Sequence, residues 1–203
     1  MDFFHYFCAM RINIHTHNPD SNELTLSTIG FHPYDAESVT EQMLVELEQK
    51  AEVCSEAIGE IGLDYVCNTN RQNQTALFIA QLEIAQRYSK GVVLHCVKSF
   101  EDVMKILKNY SLRFVIFHGF IGSTEQALKA TERGYYLSFG ERTFRSPKTI
   151  EAMKAIPIEQ LFLENDNSTI PISEIYNKAA EILSLPPLIL EYITHENYDR
   201  ICG

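Results

Sequence analysis

The sequence predicts an α/β protein built on parallel strands, and three observations carry the prediction. Short β-rich runs alternate with helical stretches along the chain, the pattern of strand–helix–strand units. Several of the β-rich runs are apolar on both faces, as in Val92-Val93-Leu94 and Phe114-Val115-Ile116-Phe117, which suits strands covered by helices on either side. Polar, chemically capable residues collect where these runs end, and no comparable cluster stands where they begin.

In chain order, strands are expected over 11–15, 25–31, 57–63, 92–95, 114–118, 135–139 and 161–164. Helices are expected near 36–53, 71–89, 99–109, 123–133, 146–155 and 171–185. In the first helix Val39, Met43, Leu47 and Ala51 recur at a four-residue spacing and make one apolar stripe. Ser123 reads as the N-cap of the helix that follows it. Pro186 and Pro187 stop the helix before them, and a last helix is expected over about 188–197. Seven strands result, one short of a complete eight-stranded barrel. An extra strand over residues 3–8 is a further expectation. Only Asn18 to Gly30 separate the first two strands' polar ends, which is short for a crossover between parallel strands.

A chain of 203 residues is long enough for one sizeable core and short for two, so a single domain over 1–203 is expected. With 17 basic against 27 acidic residues the net charge is −10, which argues against a surface that coats DNA or membrane broadly. A small site for an anionic substrate remains open if a metal ion supplies the positive charge. Cys8, Cys54, Cys67, Cys96 and Cys202 are dispersed, odd in number and without a CxxC pair. That suits reduced thiols in the cytoplasm better than a disulfide framework. No apolar run reaches membrane-spanning length. The opening MDFFHYFCAM lacks the basic segment and cleavage site of a signal peptide, and Met10, just before the first strand, is a second candidate start.

His15-Thr16-His17 closes the first strand. Side chains two apart on a strand point the same way, so both imidazoles can grip one ion; a pair of surface histidines fits the tripeptide equally well. Glu60 lies inside the apolar run 57–63. A carboxylate there is costly unless it is paired or bound to a cation. The run holds no basic residue, so an ion-pair partner would have to come from elsewhere, and the metal reading is favoured. Gly59 and Gly62 near it mark close approach of a ligand or another backbone. His95 and His118 each end an apolar strand; singly each could be a hydrogen-bonded core histidine, but with the HxH pair four of the seven histidines stand at strand ends. Asp166, after the last strand, is placed to bind metal and to take a proton from an activated water. Glu164 is placed to orient a ligand.

Together HTH (15–17), GFHP (30–33), GEIGLDY (59–65), LHCVKS (94–99), FHGFIGS (117–123), YYLSFG (135–140) and FLENDNS (162–168) resemble, block after block, the TatD family of metal-dependent hydrolases. The resemblance runs from Ile12 to about Asn197 and is most specific in GEIGLDY. It implies a TIM-type (β/α) barrel, here incomplete with about seven strands. It also implies a site for one or two divalent metal ions, with magnesium, manganese and zinc the candidates. Many members of the family are described as magnesium-dependent deoxyribonucleases. By position, His15 and His17 match first-strand ligands, and Glu60 a carboxylate that can bridge both metals. His95 and His118 match ligands of the second metal, and Asp166 the acidic ligand that doubles as general base. His32 matches a histidine near the substrate. Asp64 and Lys98 are expected beside it, with Lys98 standing where the family usually has arginine and so lacking the two-pronged fork that suits phosphate.

The stretch after Asp166 is short and lacks the basic loop that family members often carry there. Arg142, Arg145 and Lys148 could form a local phosphate-binding rim, or equally be solvated loop charges. The expected function is a divalent-metal phosphodiesterase or deoxyribonuclease that uses a metal-activated water. The alternatives are a hydrolase of the same fold acting on a small ester, amide or phosphate, and a non-catalytic relative. The expected partners are DNA or a small phosphoester, with no membrane and no protein partner.

Overall fold

A computed structural model describes residues 10–53 and 57–203. The elements run β1 (Arg11–Ile12), β2 (Glu23–Leu24), β3 (Thr28–Ile29), α1 (Glu41–Val53), β4 (Ala57–Asp64), α2 (Arg71–Arg87), β5 (Gly91–Val97) and α3 (Phe100–Leu107). They continue through β6 (Val115–Phe117), α4 (Thr124–Thr131), β7 (Tyr136–Phe139), α5 (Pro147–Ala155), β8 (Leu161–Leu163), α6 (Ile172–Leu183) and α7 (Pro187–Cys202). The protein is an α/β fold on a parallel sheet of six strands, ordered β3-β4-β5-β6-β7-β8. Strands that neighbour in sequence neighbour in space, so each crossover is a single helix-bearing step.

The expected strand over 25–31 is divided. Its upstream flank, β2, pairs in parallel with β1 as a separate two-stranded sheet, and β3 pairs with β4. The chain between them leaves the ladder because it passes from one neighbour to the other: Leu24 O accepts from Asn13 N at 3.0 Å, while Ser27 O accepts from Ala57 N at 3.2 Å. On its other side the chain after β1 runs beside β8, with Ile14 N donating to Leu163 O at 3.1 Å. The strands therefore surround a common centre, but among the described residues no continuous ladder closes the barrel. The extra strand expected over 3–8 lies outside the described residues.

Local chemistry sets the helix boundaries. Asn70 caps α2 by accepting from the N–H groups of Gln72 and Asn73. Ser123 caps α4 in a reciprocal pair with Gln126, and Ser146 caps α5. The helix expected from 36 starts at Glu41, because Pro33–Asp35 form a tight turn of their own and Thr40 Oγ1 receives Met43 N at 3.3 Å. The last helix begins at Pro187, where a missing N–H is harmless, and continues to Cys202. No helix among the described residues is long and apolar enough to cross a membrane.

Strand parity sorts the core. Val92, Leu94, Val115, Phe117, Leu137, Phe139, Leu161 and Leu163 pack outward against the helices. Val93, Phe114, Ile116, Tyr136 and Phe162 form a second, inner cluster with Ile12 and Ile14, joined by Tyr198 and Ile201 of α7. Two residues further along the inner parity stand His95, His118, Ser138 and Glu164. The inner face is thus apolar below and polar where the strands end.

Gly62 keeps two of these strand ends in contact. Its φ is +141°, and a Cβ there would lie 2.0 Å from the His95 carbonyl oxygen. Gly62→Ala is therefore expected to destabilise the fold by more than about 1 kcal/mol in urea unfolding, and wild-type stability would refute this close approach.

Candidate metal centre

The site is assembled around Glu60, whose side chain is largely buried on β4. Its Oε1 lies 3.2 Å from His15 Nε2 and 3.5 Å from His17 Nε2. Its Oε2 lies 2.6 Å from His118 Nε2, 2.9 Å from His95 Nδ1 and 3.6 Å from His32 Nε2. The two oxygens of one carboxylate thus face two groups of imidazoles. Burial alone would raise the Glu60 pKa, but the imidazoles of His118, His15, His32 and His95 around it outweigh that and hold the group far below the usual carboxylate range.

Backbone pairing brings Asp166 to the first group. Asp166 N donates to His15 O and His17 N to Asp166 O, both at 3.2 Å, so the HTH segment and the end of the last strand are zipped together. Asp166 Oδ1 then lies 3.5 Å from His17 Nε2 and 3.9 Å from His15 Nε2.

Each of two histidines is held from behind by a carboxylate. Glu164 Oε1 lies 3.3 Å from His118 Nδ1, and Ser138 Oγ donates to Glu164 Oε2. Ser138 Oγ in turn accepts from Gly119 N at 3.3 Å. Burial opposes charge on His118, but Glu164 and Glu60 beside it push its pKa up to about 10; burial opposes charge on Glu164 too, and His118 brings that carboxyl down. On the other side Asp64 Oδ2 lies 2.9 Å from His95 Nε2 and accepts from Tyr34 Oη at 3.1 Å. Asp64 Oδ1 accepts from the N–H groups of Val66 and Cys67. The buried amide of Gln74 clamps the Asp64 backbone at both N and O. Asp64 and Glu164 stand behind the two rings and fix their orientation, so the front nitrogens of both face Glu60 and donate to it for as long as they carry protons.

Asp64, expected beside the substrate, is 3% exposed, and its oxygens engage His95, Tyr34, Val66 and Cys67. Hydrogen bonding to His95 and to those N–H groups overcomes burial and lowers its pKa. His32 sits within the cluster, with Nδ1 accepting from Tyr34 N at 3.2 Å. Lys98 is exposed and lines a cleft of about 340 Å³ that also takes in His118, Phe120, Ile121 and Lys148. Arg145 is paired with Glu141. The residues that sequence reasoning passed over are Ser138, Tyr34 and Gln74. Ser138 was detectable as a polar residue on the inner parity of an apolar strand.

The donor set fits divalent ions. Three groups hold ligand atoms within 4.8 Å of one another: His15 with Glu60 and His118, His15 with His17 and Asp166, and His32 with Glu60 and His95. His15 Nε2 is buried and makes no hydrogen bond among the described residues, a cost that a cation would remove. Imidazole mixed with carboxylate suits zinc and manganese and leaves magnesium possible.

The sequence profile described as TatD related DNase matches residues 15–203. The chain is 36% identical over 146 residues to YabD, a metal-dependent hydrolase of Bacillus subtilis, covering 69% of this chain and 57% of that one. It is 32% identical over 183 residues to the 3′-5′ ssDNA/RNA exonuclease TatD of Shigella flexneri, covering 83% of this chain and 69% of that one. The crystal structure of YjjV, a TatD homologue of Escherichia coli, superposes with a TM-score of 0.80 at 25% identity, covering 90% of this chain and 78% of that one. The chain therefore spans 57% of the length of its Bacillus relative.

Replacing Glu164 by Gln keeps its shape and removes the charge behind His118. Mn²⁺ or Zn²⁺ affinity in calorimetric titration is expected to fall about 10- to 100-fold; unchanged affinity would show that Glu164 does not orient the ligand.

Proposed function

The chain belongs to the TatD related DNase family, and from that premise we propose that it is a divalent-metal hydrolase that cleaves phosphodiester bonds in DNA, working from an end. The observation that carries the proposal is the division of Glu60, with Oε1 toward His15 and His17 and Oε2 toward His95 and His118. In this reading residues 1–203 act as one hydrolase domain in the cytoplasm.

His15, His17 and Asp166 on one side of Glu60, and His95 and His118 on the other, would hold one or two ions of magnesium, manganese or zinc. When bound, such ions polarise the phosphodiester and lower the pKa of a water. Asp166 is the most open of the four acids that face the imidazoles, and it takes the proton from the attacking water. Glu60 stays ionised and fixes the spacing of the two groups. His32 contacts the substrate through Nε2, since its Nδ1 lone pair is already occupied by Tyr34 N. Lys98, on the cleft beside His118, balances phosphate charge.

A second reading, hydrolysis of a small ester, amide or phosphate, draws on the net charge of −10 and on the short passage from Asp166 to α6. A non-catalytic role is disfavoured by seven donors of suitable type in three overlapping groups among the described residues. With end-labelled single-stranded DNA and Mg²⁺ or Mn²⁺, shortened products are expected, and chelation should stop them. Asp166→Asn should lower the rate about 10²- to 10⁴-fold. Turnover no higher than that of a His95→Ala control, together with cleavage of small chromogenic esters, would favour the second reading.

A further inference from the structure

Beside the metal centre stands an aromatic ring that the chemistry above does not use. Tyr34 is 56% exposed, and its position is held from three directions. It follows Pro33 in a tight turn capped by the His32 side chain. Its hydroxyl donates to the buried Asp64 carboxylate at 3.1 Å. Its ring stands edge-on to His32, with centroids 4.2 Å apart and planes at 83°. Its centroid lies 6.0 Å from that of His95. An aromatic residue free in solvent would be ordinary; one whose hydroxyl is tied to the carboxylate orienting His95 presents a fixed face at the mouth of the site.

We propose that Tyr34 is a stacking platform for an unpaired nucleobase, and so selects single-stranded nucleic acid as substrate. The proposal rests on the nucleic-acid reading above. A phosphate drawn to the Glu60 cluster has its own base within reach of the rim where Tyr34 stands. A flat π-face binds any base without reading its sequence. A base within a duplex is already stacked on both sides and has no face to offer, so the platform favours single strands. The apolar ring also adds affinity without positive charge, which suits a chain with a net charge of −10.

The test is a fluorescence-anisotropy titration of the full chain, with Ca²⁺ as the divalent ion, using a labelled thymidine hexanucleotide and a hexamer of the same backbone lacking bases. Wild type is expected to bind the base-bearing strand about tenfold more tightly. Tyr34→Leu should bring the ratio of the two affinities to about one and Tyr34→Phe should retain most of it; both variants lose the hydroxyl bonded to Asp64, so any change in affinity for the baseless strand should be common to the two. Thermal melting reports the fold of each variant. If Tyr34→Leu does not fold, the wild-type preference and its survival in Tyr34→Phe decide the matter. Equal binding of both strands by wild type, or an undiminished preference in Tyr34→Leu, would overturn the platform alone. Binding of neither strand, with small chromogenic phosphodiesters still hydrolysed, would overturn the nucleic-acid reading and the platform with it.

Discussion

A carboxylate in the interior of an apolar strand is the constraint on which the rest of this structure depends. Glu60 is largely withdrawn from water, and an unpaired charge there would cost several kcal/mol. No lysine or arginine is paired with it; the described ion-pair partners of Glu60 are imidazoles, His15, His17, His32, His95 and His118. Imidazole is a conditional partner. It can donate a proton, or give it up and turn its lone pair to a cation, so the cluster can trade protons for metal ions without rebuilding the fold. A lysine in the same place would neutralise Glu60 permanently and close the site to metals.

Such a cluster needs its rings aimed, and the aim comes from carboxylates behind them. Asp64 and Glu164 are both nearly inaccessible to water, and each faces one histidine ring. Both are anchored by donors: Asp64 by backbone N–H groups and the Tyr34 hydroxyl, Glu164 by the Ser138 hydroxyl. The consequence is a layered arrangement in which scaffold positions carboxylate, carboxylate positions imidazole, and imidazole faces Glu60. Each layer sits on the inner parity of a strand or at its end, so the sheet sets its spacing.

Much of this was legible in the sequence because strand parity is a strict rule. Glu60 stood out as a charge within 57–63, and His95 and His118 as polar ends of Val92-Val93-Leu94 and Phe114-Val115-Ile116-Phe117. The convergence of HTH with the far end of the chain depends on pairing between His15–His17 and Asp166, which no local pattern encodes; ordered blocks were needed to suggest it. The partners of Asp64 were not legible, because a carboxylate at a strand end looks the same whether it faces outward or folds back onto Val66 and Cys67. The division of 25–31 was also hidden, since an extended run reads alike whether it has one neighbour or changes neighbours midway.

That division bears on how a shortened connection can still deliver a complete donor set. Parallel strands are usually joined through a dozen or more residues and a helix, yet β1 and β2 pair in parallel with only 13–22 between them. The connection is secured by side chains: Asn13 Nδ2 donates to Glu23 Oε2 at 2.7 Å and to Asn165 Oδ1 at 2.9 Å, and Asp20 closes a turn through Asn22 N. Asn13 is fully buried and lies two residues before His15, while Asn165 lies one before Asp166. One buried amide therefore ties the entry to the HTH segment, the start of β2 and the approach to Asp166. The donors near Glu60 depend on that junction and on the ends of β4 to β8, and on no helix between β1 and β2. A connection without a helix at that place leaves the spacing of the imidazoles and carboxylates to the strand ends and the Asn13 junction.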